Sequence, residues 1–347
     1  MGTHRLTKNP SARDTMKKIL FATTALVAGA AAGIASAAER PTGSVGGYMF
    51  FGAGLTDVTA TGDTEVVLLR DGEIHLKFSG SSDNGLTFAG RVELEAFTTG
   101  DQIDENWATV SGSFGEILVG SNDTAADNFG DVGIFCAAGC RIAYYNGFGE
   151  VPMAYSDDGP ADPFGIRYAT PTIAGFTAAV SYHPDSGRDG AADTSRVTSG
   201  DRPYNGFSNV VSLAANYSGE FSGFGVAVGG DYTFGDATTA TGGGNDMEVW
   251  SLGAELGYAG FTGGVHYENN EGTNSDDVAI GFRYRTGPWT FGGGYAFSDT
   301  AASDIDTFAG WVSYALAPGV TGHVAAQYGD NGATDGYNIY TILQVGF

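Results

Sequence analysis

Acids crowd the stretch 121–163, among them Asp123, Asp127, Asp131, Glu150, Asp157 and Asp158, against the single Arg141. Carboxylates gathered in this way raise the local concentration of cations, and where they line water they orient dipolar solutes. The same stretch holds Phe129, Ile134, Phe135, Tyr144, Tyr145, Phe148, Met153 and Tyr155, too much apolar surface to stay solvated. It is therefore expected to fold back onto the rest of the chain and line a water-filled channel, with Asp123, Asp127, Asp131 and Glu150 facing the lumen. Side chains of opposite sign that share the polar side of flanking segments are His75, Lys77, Arg91 and Arg167, with Arg283 and Arg285 further round. Opposed groups of charge at one height would set a transverse field across the passage. A plainer reading of Arg91 stands beside this one: it pairs with Glu93, or with an acid of a neighbouring strand, and holds the wall.

Other chemistry is sparse. Cys136 and Cys140 lie close together in the long stretch, and in an exported chain they read as a small disulfide or a free pair. Two cysteines without nearby histidine make a poor zinc site. Asp185, Asp189 and Asp193, with Asp276 and Asp277, could gather Ca²⁺ through carboxylate oxygens, or form a solvated acidic surface. No EF-hand run and no phosphate-binding glycine loop is present, and the five histidines are scattered. We assign no catalytic residues and expect no cofactor beyond that Ca²⁺.

The elements that must hold these groups are strands. From Met16 onward come two lysines, an apolar run over 19–34 and Ala35-Ser36-Ala37, the pattern of a cleaved secretory signal. A spanning helix is the rival reading, but the run is short for one. The expected division is 1–37, removed on export, and 38–347, one β domain. Without its first 37 residues the chain keeps 11 of 16 basic and 39 of 40 acidic residues, a formal charge of −28. Such a surface repels nucleic acid.

Runs of alternating apolar and polar residues then follow one another to Phe347, sixteen by count, among them 45–56, 64–80, 86–98, 105–113 and 115–121 before the long stretch. Gly219-Glu220 and Gly115-Glu116 read as tight turns, and 184–206, 236–246 and 330–336 as long polar loops. Tight turns at one end and long loops at the other are the mark of a transmembrane antiparallel β-barrel. Ile74, Leu76 and Phe78 oppose Glu73, His75, Lys77 and Ser79, so charge stays off one face. Trp250, Tyr258, Trp289, Tyr295, Tyr314, Tyr328 and Phe347 supply aromatics near strand ends, where membrane interfaces lie. The last strand ends on an aromatic and is free to close the ring against the first. An exported glycine-rich β-sandwich used in surface binding or adhesion is the alternative class.

Several segments carry a family resemblance. They are Lys17-Lys18-Ile19-Leu20-Phe21-Ala22, Leu76-Lys77-Phe78-Ser79-Gly80 before Ser82-Asp83-Asn84-Gly85, 113–121 leading into the acidic stretch, and terminal Phe347. Across 42–347 the chain resembles the Gram-negative general porins, especially those of alphaproteobacteria. That resemblance implies a 16-stranded homotrimeric barrel in outer-membrane lipid, whose third loop folds inward and faces a basic cluster. It implies passive diffusion of small hydrophilic solutes and ions, and the excess acid adds an expected cation preference. A solute-specific porin would instead show saturable, solute-blocked conductance, and no aromatic track for one is apparent in the sequence.

Overall fold

The computed structural model describes residues 40–59, 62, 64–97, 102–133, 151–154, 162–186, 207–237 and 245–347. Alternation becomes structure directly. The strands are β1 (Thr42–Val58), β2 (Thr64–Ser81), β3 (Thr87–Glu95), β4 (Ile103–Gly112), β5 (Gly115–Ser121), β6 (Phe164–Ala169), β7 (Phe176–Asp185) and β8 (Phe207–Phe221). There follow β9 (Phe224–Ala237), β10 (Met247–Tyr258), β11 (Phe261–Asn270), β12 (Ser275–Thr286), β13 (Trp289–Asp299), β14 (Asp304–Ala317), β15 (Val320–Asp330) and β16 (Asp335–Gly346). Each pairs antiparallel with its neighbours in sequence, and β1 pairs with β16, closing the barrel. At the seam Gly47 and Phe347 exchange backbone bonds of 3.0 and 3.1 Å, so the terminal residue finishes the ring and leaves no edge.

The outward face carries the apolar half of each alternation. Leu68, Leu252, Leu256, Ile280 and Phe282 are all exposed. Each such side chain moved from water into hydrocarbon contributes about 1.5–3 kcal/mol, so a lipid belt completes the fold. No described helix is long and apolar enough to cross a membrane, and the crossing is by strands. Aromatics gather at both rims of the belt. At the tight-turn rim Phe224 stacks on Tyr258, Phe261 on Tyr284, and Trp289 meets Tyr314 edge-on. At the other rim Tyr232 donates to Glu248 and Tyr295 to Asp306, each at 2.5 Å, ring in lipid and hydroxyl toward the polar side.

Two sequence expectations shift. The turn after β8 is Ser222-Gly223, not Gly219-Glu220, and Gly115 opens β5 instead of forming the turn before it. Ser222 and Gly223 both take positive φ, as do Ala174-Gly175 and Ala259-Gly260, the backbone that matches strand twist in a two-residue hairpin. At the opposite rim the segregation of loop lengths is only partial. Connections 271–274, 300–303 and 331–334 are four-residue turns, because the strands run further than their alternation suggests.

Inside, most wall residues are polar, with two apolar exceptions among the described residues, one of them Ala169, Ala179 and Ala214 beneath Ala125 and Phe129. Phe50, Trp311, Ala325, Tyr340 and Ile342 form a buried cluster on the inner face of β14 to β16 and β1, joined by Tyr48, Val67 and Leu69. Buried rings offer no open face along which a solute could slide.

Candidate channel constriction

After β5 the chain turns into the barrel. Thr124 caps a five-residue helix, α1 (Ala125–Phe129): the Thr124 hydroxyl accepts from the Asp127 backbone N–H, and the Asp127 carboxylate accepts from the Thr124 backbone N–H at 2.9 Å. The helix is too short to persist alone and is held by the wall. Ala125 N–H donates to Ser181 Oγ on β7 (3.0 Å) and Ala126 N–H to Ser212 Oγ on β8 (2.8 Å). Asn216 donates to the Phe129 carbonyl at 2.8 Å. From β6, Arg167 Nη1 donates to Asn122 Oδ1 (2.8 Å) and the Asp123 carbonyl (2.9 Å), with its guanidinium over the Phe129 ring.

The segment then crosses β9, β10 and β11 at mid-barrel, where glycine makes room. A Cβ on Gly253 would sit 1.5 Å from the Val132 carbonyl oxygen, and one on Gly229 would sit 2.7 Å from that of Gly130. His266 Nδ1 bonds the Val132 carbonyl at 3.1 Å. Residues 151–154 lie against β14 and β15. A Cβ on Gly329 would meet the Pro152 oxygen at 1.6 Å, and Ala154 N–H donates to Thr307 Oγ1 at 2.7 Å. The insert thus lines the wall from β6 to β11 and touches it again at β14 and β15. In a sixteen-strand ring β3 stands eight strands from β11, so the wall of β2 to β4 faces the Val132 end of the insert across the lumen and adjoins its start at Asn122.

That facing wall is dense with acid. His75 Nε2 lies 2.7 Å from Glu73 Oε2 and 3.6 Å from Glu93 Oε1. Arg91 reaches Glu93 Oε1 at 2.5 Å and Glu105 Oε2 at 2.6 Å. Tyr48 donates to Glu73, while Trp107 and Asn122 donate to Glu105. A β-bulge sets Asp104 and Glu105 together opposite Glu93, so both acids turn toward the lumen side, Asp104 beside Glu73 and Glu95. Glu105 also meets Asp123 and Asp162 of the insert, ligand atom to ligand atom within 4.8 Å. Burial, then the charges of Asp123, Glu105 and Asp104, push the Asp162 carboxyl up to about 9, so it holds its proton at neutral pH. Burial and Glu105 likewise raise Asp123.

The sequence profile of the Gram-negative porins matches residues 22–334. The chain belongs to the Gram-negative porin family. Among solved structures, a mutant of the Rh. blastica porin is similar at 20% identity and TM-score 0.62, over 88% of this chain and 100% of that one. The anion-selective porin from Comamonas acidovorans is similar at 15% identity and TM-score 0.60, with the same coverage. At these identities the likeness is one of fold. Comparison with curated proteins finds no match. Membership of this family makes the barrel an outer-membrane porin channel.

Within this porin the sequence-predicted residues fall into distinct groups. Asp123 and Asp127 lie in the anchored start of the insert, and Asp131, exposed, follows α1. Asp127 serves as a helix cap as much as a charge. His75 and Arg91 sit on the facing wall, but each is engaged by glutamates, the plainer of the two readings of Arg91. Arg167 is buried beneath the insert and anchors it, which takes it out of the lumen lining. Lys77 stands directly across from Arg91, two residues nearer the tight turn than His75. Arg283 and Arg285 lie near the turn end of β12. Ala279 is level with His266, and Arg283 is four residues further, about 13 Å at strand spacing. Asp276 bonds Tyr267 and Asn269 whereas Asp277 bonds Ser298, on opposite faces, so these two do not make one ion site. Asp185 ends β7, buried opposite Ser208. Ala35, Ala37, Cys136, Cys140, Glu150, Asp189 and Asp193 lie outside the described residues.

Sequence reasoning missed Glu73, Glu93, Asp104, Glu105 and Asp162 as members of the site. It also missed α1, although Thr124-Ala125-Ala126-Asp127 has the spacing of a capping box.

Proposed function

We propose that this porin is a general diffusion channel that passes cations in preference to anions. The observation that carries the reading is the wall of β2 to β4, where Glu73, Glu93, Glu95, Asp104 and Glu105 stand against Lys77 and Arg91, with Asp123 of the insert beside them. The wall and the adjoining start of the insert therefore make one acidic cluster, instead of acid on the insert facing base on the wall. A single-sign field in a confined aqueous passage concentrates counter-ions and excludes co-ions. The anion selectivity in the name of the Comamonas porin belongs to that protein, and here the sign follows from the side chains on the wall.

The same reading takes the protein as a homotrimer in outer-membrane lipid, exported with loss of residues 1–37, its solutes small and hydrophilic and its insert at 121–163 forming the constriction. The exposed apolar belt and the inward course of 122–133 and 151–154 support it. The experiment is a planar bilayer with purified protein under a KCl gradient. A reversal potential of the sign set by K⁺ passage is expected, and one set by Cl⁻ passage rejects the reading.

A further inference from the structure

Glu73 and His75 are two residues apart on β2 and so present their side chains to one face, and Glu93 stands directly across from His75 on β3. Their approaching atoms are two carboxylate oxygens and one imidazole nitrogen, all within 4.8 Å of one another. Borderline divalent cations such as Zn²⁺ accept this mixed set, with bonds of about 2.0–2.2 Å. Tetrahedral bonds of that length hold ligand atoms about 3.3 Å apart. The observed 2.7 Å from His75 Nε2 to Glu73 Oε2 and 3.6 Å to Glu93 Oε1 bracket that spacing, so small side-chain rotations suffice.

A second observation points the same way. Glu93 is only 4% exposed, yet its Oε1 receives no aligned hydrogen bond, although Arg91 Nε lies 2.5 Å away. A buried carboxylate oxygen met by charge alone is one that an incoming cation can complete. Arg91 keeps Glu105 as its other partner, at 2.6 Å. The Tyr48 hydroxyl holds Glu73 Oε1 at 2.7 Å, which fixes the carboxylate while leaving Oε2 toward His75.

We propose that Glu73, His75 and Glu93 form a binding site for a divalent transition-metal ion of the Zn²⁺ type on the channel wall. This goes beyond cation preference, because the imidazole favours Zn²⁺ over Ca²⁺ and Mg²⁺, which require oxygen ligands. Strands hold the three groups more rigidly than loops would. An ion bound there places positive charge on the acidic wall and slows the passage of other cations.

The test is calorimetric titration of Zn²⁺ into the detergent-purified protein, with excess Mg²⁺ present throughout. The wild type is expected to bind, and His75→Gln to weaken binding by about ten-fold or more, as loss of a ligand should exceed loss of a ligand's supporting bond. Ca²⁺ titrations should not distinguish the two proteins. Absence of Zn²⁺ binding, or equal binding by H75Q, overturns the site. Should H75Q fail to fold, the wild type supplies the answer through diethyl pyrocarbonate labelling read by peptide mass spectrometry. Zn²⁺ should slow modification of His75 and Ca²⁺ should not, and equal labelling with and without Zn²⁺ overturns the site. Neither readout involves ion passage, so failure of the metal site and failure of the channel reading are told apart.

Discussion

Gly253→Ala adds one methyl group where the insert crosses β10, and the structure fixes what that methyl meets. The new Cβ would lie 1.5 Å from the Val132 carbonyl oxygen, whereas ordinary contact begins at 3.4 Å, so 3.4 less 1.5 leaves about 1.9 Å of retreat. Gly253 has no positive φ, so the backbone of β10 accepts alanine and the main effect falls on the insert, with His266 Nδ1 approached less closely at 3.1 Å. A retreat of that size breaks the 3.1 Å bond from His266 to Val132, worth about 1 kcal/mol, and forced overpacking adds about 1–3 kcal/mol. The anchors at Ser181, Ser212, Asn216 and Arg167 remain, so the segment stays attached and is pushed away from its wall toward the opposite one. Single-channel conductance in 1 M KCl should fall, and the largest neutral sugar admitted by liposomes should shrink. Gly225→Ala is the control: nothing lies within 4 Å of its Cβ, and its conductance should match the wild type. If G253A folds, shown by its heat-dependent gel mobility, and conducts as the wild type does, the insert does not lie where β10 and β11 place it.

Gly329→Ala, whose Cβ would meet the Pro152 oxygen at 1.6 Å, should lower conductance in the same assay through the other arm of the insert. Arg167→Met removes two charge-assisted bonds to the insert, about 3 kcal/mol or more together, and should lower the temperature at which the barrel loses its compact gel mobility. Arg167→Lys should recover only part of that, since an ammonium lacks the planar fork. Asp162 gives a pH signature. Its carboxyl is raised from 3.8 to about 9, so the folded state binds a proton that the unfolded chain releases. Its contribution to stability is full below about pH 4 and is lost as pH rises through about 9. Deprotonation also adds a charge to the lumen, so K⁺ preference should increase from pH 8 to pH 10 in the wild type and stay flatter in Asp162→Asn.

The barrel was legible because a period of two separates lipid from water along every strand, and because the alternation over 337–347 makes a strand that can pair with the first, as it does. Register was half legible. Counting back from a turn at 82–85 would set Lys77 against Gly90, but the connection is five residues, 82–86, so Ser81 pairs with Thr87, Lys77 faces Arg91, His75 faces Glu93 and Glu73 faces Glu95. The bulge that turns Asp104 and Glu105 inward together leaves no comparable trace, since one inserted residue looks like continued alternation. Parity likewise gave the face of Arg167, Arg283 and Arg285 but not their height, which depends on pairing around the ring. Turn placement slipped after β8 because Gly219 and Gly223 are equally plausible hinges in sequence, and only the positive φ at Ser222 separates them. The inner apolar cluster did leave a signal: Tyr340 and Ile342 share the otherwise polar side of β16 with Asn338 and Gln344.

The most direct measurement is the K⁺ to Cl⁻ permeability ratio from reversal potentials, compared between the wild type and a variant carrying Glu73→Gln, Glu95→Gln and Asp104→Asn. The wild type should favour K⁺, the variant should move toward equal permeability, and the difference should narrow at 1 M salt, where the screening length is about 3 Å. Arg283→Gln with Arg285→Gln, far from the insert, should leave the ratio close to the wild type. A wild type that favours Cl⁻, or a triple variant with an unchanged ratio, would contradict an acidic wall on β2 to β4 as the source of selectivity.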